Sequence, residues 1–181
     1  MVMHSYGGAV GTEAISGIPS TSDGIIHLFY ICAYILPSGL SMFSIVEQAG
    51  FLPLWSQFIE DFDDGSCFPK DPGQMFFSSQ NPDLIKAVEP HLVRHPLSAF
   101  KEQMKGDAWK RLPVTYVMTQ NDWGMPRVYQ EIMLEKVKKE GVEVRIEDYD
   151  ACHSVFITLK NEMVGAVVRA VEDERNAILM D

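Results

Sequence analysis

Three side chains that could share nucleophilic chemistry stand far apart in this sequence: Ser5, Asp122 and His153. A serine hydroxyl is a weak nucleophile until an imidazole takes its proton. The imidazole works best when a carboxylate fixes its tautomer and stabilises the imidazolium. Ser5 lies in His4-Ser5-Tyr6-Gly7-Gly8, where the apolar stub Val2-Met3 meets a run of small residues. Gly7 and Gly8 suit the tight, strained turn that presents a nucleophile between a strand and a helix. The N–H of Tyr6, at the start of that helix, is placed to donate to an oxyanion. Taken alone, Ser5 also reads as a helix N-cap.

The other chemically capable residues read more plainly. Asp148 and Asp150 are rival acids, but Asp122 closes an apolar strand and is preferred. His91 and His95 stand four apart, yet Leu92-Val93-Arg94 between them lacks the glutamate of H-E-x-x-H and no third ligand is evident. They read as surface histidines, and no metal is expected. His4 reads as a packed or hydrogen-bonded neighbour of Ser5, His27 as a core residue with an unnamed partner, and Cys152 as a buried small hydrophobe. Neither a G-x-x-x-x-G-K-[ST] loop nor a G-x-G-x-x-G fingerprint occurs, so no cofactor is expected.

The elements that must position these groups follow from periodicity. Small residues from Gly7 to Ser16 predict a helix ended by Gly17-Ile18-Pro19-Ser20. Behind Asp23-Gly24, the unalternating run Ile25 to Ile35 predicts a strand buried on both faces, with a hydrophobic helix as the alternative. Residues 37 to 110 are broken by Pro and Gly into short, aromatic-rich pieces and read as an inserted cap. There, residues 51–59 form one short amphipathic helix, Glu60, Asp61, Asp63 and Asp64 form a solvated acidic turn, and a helix capped by Asn81 runs towards Arg94 with a break at Glu89-Pro90. Met42, Phe43, Trp55, Phe58, Met75, Phe76 and Phe77 of this cap could line an apolar pocket or be core. Val114 to Thr119 is a strand, Pro126 to Gly141 frames a helix, and Val142 to Tyr149 is a third strand. A closing helix then turns Phe156, Leu159, Met163, Val167 and Val171 inward. Strands alternating with helices predict an α/β fold with a parallel sheet, whose ligands sit at the carboxyl ends of the strands. Ser5, Asp122 and His153 each follow such an end.

His4-Ser5-Tyr6-Gly7-Gly8 resembles the nucleophile elbow of the α/β-hydrolase family, with Met3 standing where the G-x-S-x-G pattern has its first glycine. Asp122 and His153 follow in that family's order of Ser, acid, His. Tyr116 to Asp122 with Pro126 after it, and Asp150-Ala151-Cys152-His153-Ser154, are similar to the acid and histidine turns of the branch containing plant methylesterases and hydroxynitrile lyases. The resemblance implies a partial α/β-hydrolase fold: a parallel sheet with helices on both faces, an inserted helical cap, and the first strands missing. Residues 1–36 would hold the elbow, its helix and the next strand, 37–110 the cap, and 111–181 the rest of one domain. It further implies a serine hydrolase that cleaves an ester, or less readily an amide or thioester, of a small apolar molecule without cofactor. Ser5 would be nucleophile, His153 base and acid, Asp122 its orienting carboxylate, and Tyr6 an oxyanion donor. A lyase using the same three side chains for proton transfer, or an inactive or partner-dependent fragment, are the alternatives. The elbow strand would lie at an open sheet edge, covered by a second copy or another chain.

Composition narrows the partners. Fifteen Lys and Arg against 25 Asp and Glu give a net charge of −10, which disfavours nucleic acids and anionic membranes and leaves a small-molecule substrate. The longest apolar run, Ile25 to Leu36, is too short for a bilayer core that needs about 20 residues. Three widely spaced cysteines and no leader-like N-terminus point to a reducing, cytoplasmic setting.

Overall fold

The computed structural model of the chain describes residues 1–18 and 24–180, so Pro19, Ser20 and Asp23 of the turns named above lie outside the described residues. Its elements are β1 (Val2–His4), α1 (Gly7–Ser16), β2 (Leu28–Ile31), α2 (Met42–Gln48), α3 (Trp55–Phe58), β3 (Ile59–Asp61), β4 (Ser66–Pro69), α4 (Pro72–Phe77), α5 (Pro82–Val88), β5 (His95–Pro96), α6 (Leu97–Lys101), β6 (Val114–Thr119), α7 (Arg127–Lys139), β7 (Val144–Tyr149), α8 (Val155–Thr158) and α9 (Lys160–Met180). Short 3-10 turns cover Leu52–Leu54, Glu89–His91 and Ala108–Lys110.

The main sheet is parallel throughout, in the order β1-β2-β6-β7. All six residues of β6 are buried, as an unalternating apolar strand between two neighbours must be. Helices cover both faces, as the alternation of side chains shows. On one face Thr12 of α1 bonds the Tyr30 hydroxyl at 2.7 Å. On the other His27 bonds Thr115 at 2.9 Å and Glu174 of α9 at 3.0 Å, which supplies the partner its burial requires. The edge strand β1 leaves Val2 49% exposed, and Val10 on α1 is equally open.

Four local readings change. Ile25 to Ile35 is buried along most of its length, but only Leu28–Ile31 forms a ladder. Cys32 takes a positive φ of 34°, which bends the chain beneath the elbow, where Tyr34 N donates to the Ser5 carbonyl at 3.0 Å. Residues 51–59 are not one helix: a 3-10 turn, α3 and the extended Ile59 follow one another. Glu60, Asp61, Asp63 and Asp64 are exposed, as a solvated acidic segment requires, but the segment is a paired hairpin rather than a plain turn. Phe62 N bonds Ser66 O at 2.8 Å, Gly65 has φ 79°, and Asp64 accepts from Ser66, so β3, β4 and β5 form a small antiparallel sheet within the cap. Finally, Phe156 and Val171 face outward, at 41% and 38% exposure. The chain breaks at Leu159 between α8 and α9 (φ −126°), which resets the register so that Met163, Ala166 and Ala170 turn inward. No described helix is long and apolar enough to cross a membrane.

A buried glutamine ties α7 to the end of β6. Gln130 accepts from Thr119 N at 3.0 Å and donates to Thr119 O at 3.0 Å, Thr119 Oγ1 at 3.1 Å and Met125 O at 2.7 Å. Gln130→Leu keeps the volume and strips these partners from buried backbone groups. It should cost about 2 to 4 kcal/mol, read as a lowered urea midpoint at unchanged slope. A midpoint within experimental scatter of wild type would show that the network carries no stability.

Candidate active site

The carboxyl ends of the parallel strands gather the three predicted residues around one cavity of about 410 Å³ lined by both Ser5 and His153. Ser5 directly follows β1 and adopts φ 51°, a left-handed conformation costly for a non-glycine residue and held only by its surroundings. Its N–H donates to Ile31 O at 3.3 Å, and its carbonyl accepts from Gly8 N and Tyr34 N, each at 3.0 Å. Tyr6 caps the N-terminal end of α1. Met3, in place of the expected glycine, fits because Gly11 leaves room for it: a Cβ at Gly11 would stand 2.4 Å from the Met3 sulfur.

Asp122 is buried in the turn after β6. Its Oδ2 accepts from His153 Nδ1 and from Thr119 Oγ1, both at 2.8 Å, and its Oδ1 accepts from Met125 N at 2.6 Å. Since a carboxylate only accepts, the shared proton is assigned to Nδ1, and Nε2 of the neutral ring keeps its lone pair. That is the tautomer of a general base. Gln130 donates to Thr119 Oγ1, so a chain of hydrogen bonds runs from α7 to the imidazole. The rival acids are engaged elsewhere: Asp148 pairs with Arg127 at 2.8 Å and Asp150 with Asn121.

Among the described residues Ser5 Oγ makes no hydrogen bond to His153 Nε2, while the Asp122–His153 pair is formed. Several site residues carry no sequence motif. Thr119 and Gly124 flank Asp122 by three and two positions, a proximity that could have marked them. A Cβ at Gly124 would come within 3.1 Å of the His153 ring. Gly124→Ala should push the ring by a few tenths of an ångström and lower kcat about tenfold at unchanged melting temperature. A kcat within twofold of wild type would mean that the ring has slack.

The cavity walls are aromatic and apolar, with Trp55, Phe58, Phe76, Phe100 and Trp123 among them. Of the cap residues named from the sequence, Met42, Trp55, Phe58, Met75 and Phe76 line it, whereas Phe43 packs on Trp55 and Phe100. No Asp, Glu, Lys or Arg lines it among the described residues. The surface reading holds for His91, which is exposed although it also lines the cavity, and fails for His95, which is half-buried in β5 against Tyr6, with ring centroids 4.6 Å apart. The one His/Cys/acid cluster of ligand spacing among the described residues is His4, Cys32 and His153.

His4 lies with its ring 4.6 Å from that of His153 and 4.7 Å from Phe156. Burial, then the nearby His153, pushes its pKa down from 6.5 to about 4. The unfolded chain therefore binds this proton more tightly. The stability His4 contributes is whole above pH 6.5 and is lost as pH falls through 4. Comparing urea unfolding of wild type with His4→Phe at pH 7 and pH 4, wild type should lose about 3 kcal/mol more than the variant. Parallel losses would remove this proton from the account of acid sensitivity.

A family model described as the alpha/beta hydrolase family matches residues 1–166. The alpha/beta hydrolase nvfD of Aspergillus novofumigatus is 25% identical over 139 residues, 72% of this chain and 54% of that protein. The chain thus spans about half the length of that curated relative. Among solved structures, a pyrethroid hydrolase from Sphingobium faniae JZ-2 superposes with a TM-score of 0.71 at 20% identity, over 93% of this chain and 68% of that one. Polyneuridine aldehyde esterase gives 0.68 at 11% identity, over 93% and 69%. These likenesses carry the fold. The elbow strand, the acid and histidine turns after successive parallel strands, and the match along nearly the whole sequence agree: this chain belongs to the α/β-hydrolase family.

Proposed function

We propose that the chain hydrolyses carboxylic esters of small, mostly apolar molecules. The observation that carries this reading is the buried Asp122–His153 pair at 2.8 Å, opening on the same uncharged cavity as a serine held at positive φ. Ser5 Oγ attacks the acyl carbon while His153 Nε2 takes its proton, and Asp122 stabilises the imidazolium that forms. The Tyr6 N–H donates to the tetrahedral oxyanion. When the carbon–oxygen bond to the alcohol breaks, His153 returns the proton to the leaving oxygen. Water, deprotonated by the same ring, then attacks the acyl-serine; the bond from the acyl carbon to Ser5 Oγ breaks, His153 returns the proton to Oγ, and the acid leaves. The aromatic walls offer a neutral substrate dispersion and desolvation but no cation for a carboxylate.

A fluorophosphonate probe tests the reading directly. Wild-type protein should form one covalent adduct on Ser5, seen by mass spectrometry, and Ser5→Ala should form none. Folded wild-type protein that stays unlabelled, or an adduct that persists in Ser5→Ala, would overturn it.

A further inference from the structure

The backbone of His153 is held as well as its ring. His4, the last residue of β1 and the neighbour of Ser5, places Nε2 3.0 Å from the His153 carbonyl oxygen. Cys32, one residue past β2, places Sγ 3.3 Å from the same oxygen. A carbonyl oxygen only accepts, so both atoms donate their protons to it. Two members of the His4–Cys32–His153 cluster, whose ligand atoms lie within 4.8 Å of one another, are thus the donors to this carbonyl. Burial pushes the Cys32 thiol pKa well up, which keeps its proton in place.

We propose that His4 and Cys32 clamp the His153 carbonyl, with His4 as a positioning residue that sets the spacing between the His153 imidazole and Ser5. Sheet order shows why a clamp is needed. His153 follows β7, and Ser5 follows β1, at opposite edges of a four-stranded sheet. Three strand spacings, about 14 Å, lie between them. The loop after β7 must reach back across β6 and β2, and the hydrogen bond from His4 ends that path one peptide away from the nucleophile. The left-handed φ of Cys32 is a second sign: the chain bears backbone strain at the residue whose thiol meets the same carbonyl. Because His4 is neutral above about pH 4, it adds no positive charge beside the imidazolium.

The kinetic consequence rests on the proposed Ser5–His153 chemistry, while the clamp can be observed without it. His4→Phe keeps an aromatic ring against Phe156 and removes the donor; His4→Gln restores a donor at similar reach. His4→Phe should lower kcat about 10- to 100-fold with KM within about twofold. It should also shift the acid limb of the pH profile and lose the slowly exchanging His153 Nδ1 proton from the NMR spectrum. His4→Gln should recover most of both. If His4→Phe does not fold, Cys32→Ala removes the second donor and should lower kcat in the same direction, about 3- to 10-fold. Wild-type kcat and an intact proton signal in the donor-free variants, or His4→Gln failing as badly as His4→Phe, would overturn the clamp. Should wild-type protein refuse the fluorophosphonate, the esterase reading falls alone, because the His153 proton signal still reports whether the clamp exists.

Discussion

Asp122→Asn is expected to lower kcat by about 10⁴ while leaving the fold intact. The substituted amide can still accept from Met125 N through its oxygen, as Oδ1 does now at 2.6 Å. Its NH2 group, however, would face His153 Nδ1 and donate to it. The ring would then hold its proton on Nε2, the atom that takes the proton of Ser5 in the proposed reaction, and Ser5 would lose the base that reaction requires. Steric change is near zero, so a loss of this size would be electronic in origin. Steady-state rates on an activated ester, with a melting curve for each protein, measure both quantities. A variant within tenfold of wild type would remove Asp122 from the mechanism, and Asp148 would not replace it, because Arg127 already holds that carboxylate at 2.8 Å.

Much of this arrangement is legible from residues adjacent in sequence. Gly7 to Ser16 declares its helix through small residues on a packed face, and Val114 to Thr119 its strand through an unbroken apolar run. Chain order alone places Asp122 and His153 at consecutive strand ends. What stays hidden depends on distant partners. The short β2 ends at Cys32, whose positive φ accompanies bonds joining its neighbours Ile31 and Tyr34 to Ser5 and its own thiol to His153, contacts that no local pattern encodes. The small sheet of the cap had one readable signal, Asp64-Gly65, a dipeptide favoured in hairpin turns. Composition hid it, because four acidic residues within five positions read as solvated charge. The outward turn of Phe156 and Val171 follows from a break at Leu159 that helical periodicity cannot register.

The two glycines after Ser5, equivalent in the sequence, should behave oppositely when given a methyl group. A Cβ on Gly8 would lie 2.4 Å from the Tyr34 carbonyl oxygen and 2.9 Å from both Tyr34 N and Ala33 Cβ. These are backbone atoms or a rigid methyl, so no rotamer change relieves the overlap. Either α1 lifts from the sheet or the segment after β2 shifts, and both break the 3.0 Å bond from Tyr34 N to the Ser5 carbonyl. Alanine gains about 1 kcal/mol over glycine in helix propensity, against an overpacking cost of about 3 kcal/mol or more where backbone must move. The clash wins: Gly8→Ala should melt at markedly lower temperature and lose fluorophosphonate labelling although Ser5 is untouched. Nothing lies within 4 Å of a Cβ on Gly7, and its φ is negative. Gly7→Ala should therefore melt at or slightly above the wild-type temperature and keep labelling. Equal effects of the two substitutions would mean that the elbow does not seat Gly8 against Tyr34, and the strained geometry assigned to Ser5 would lose its support.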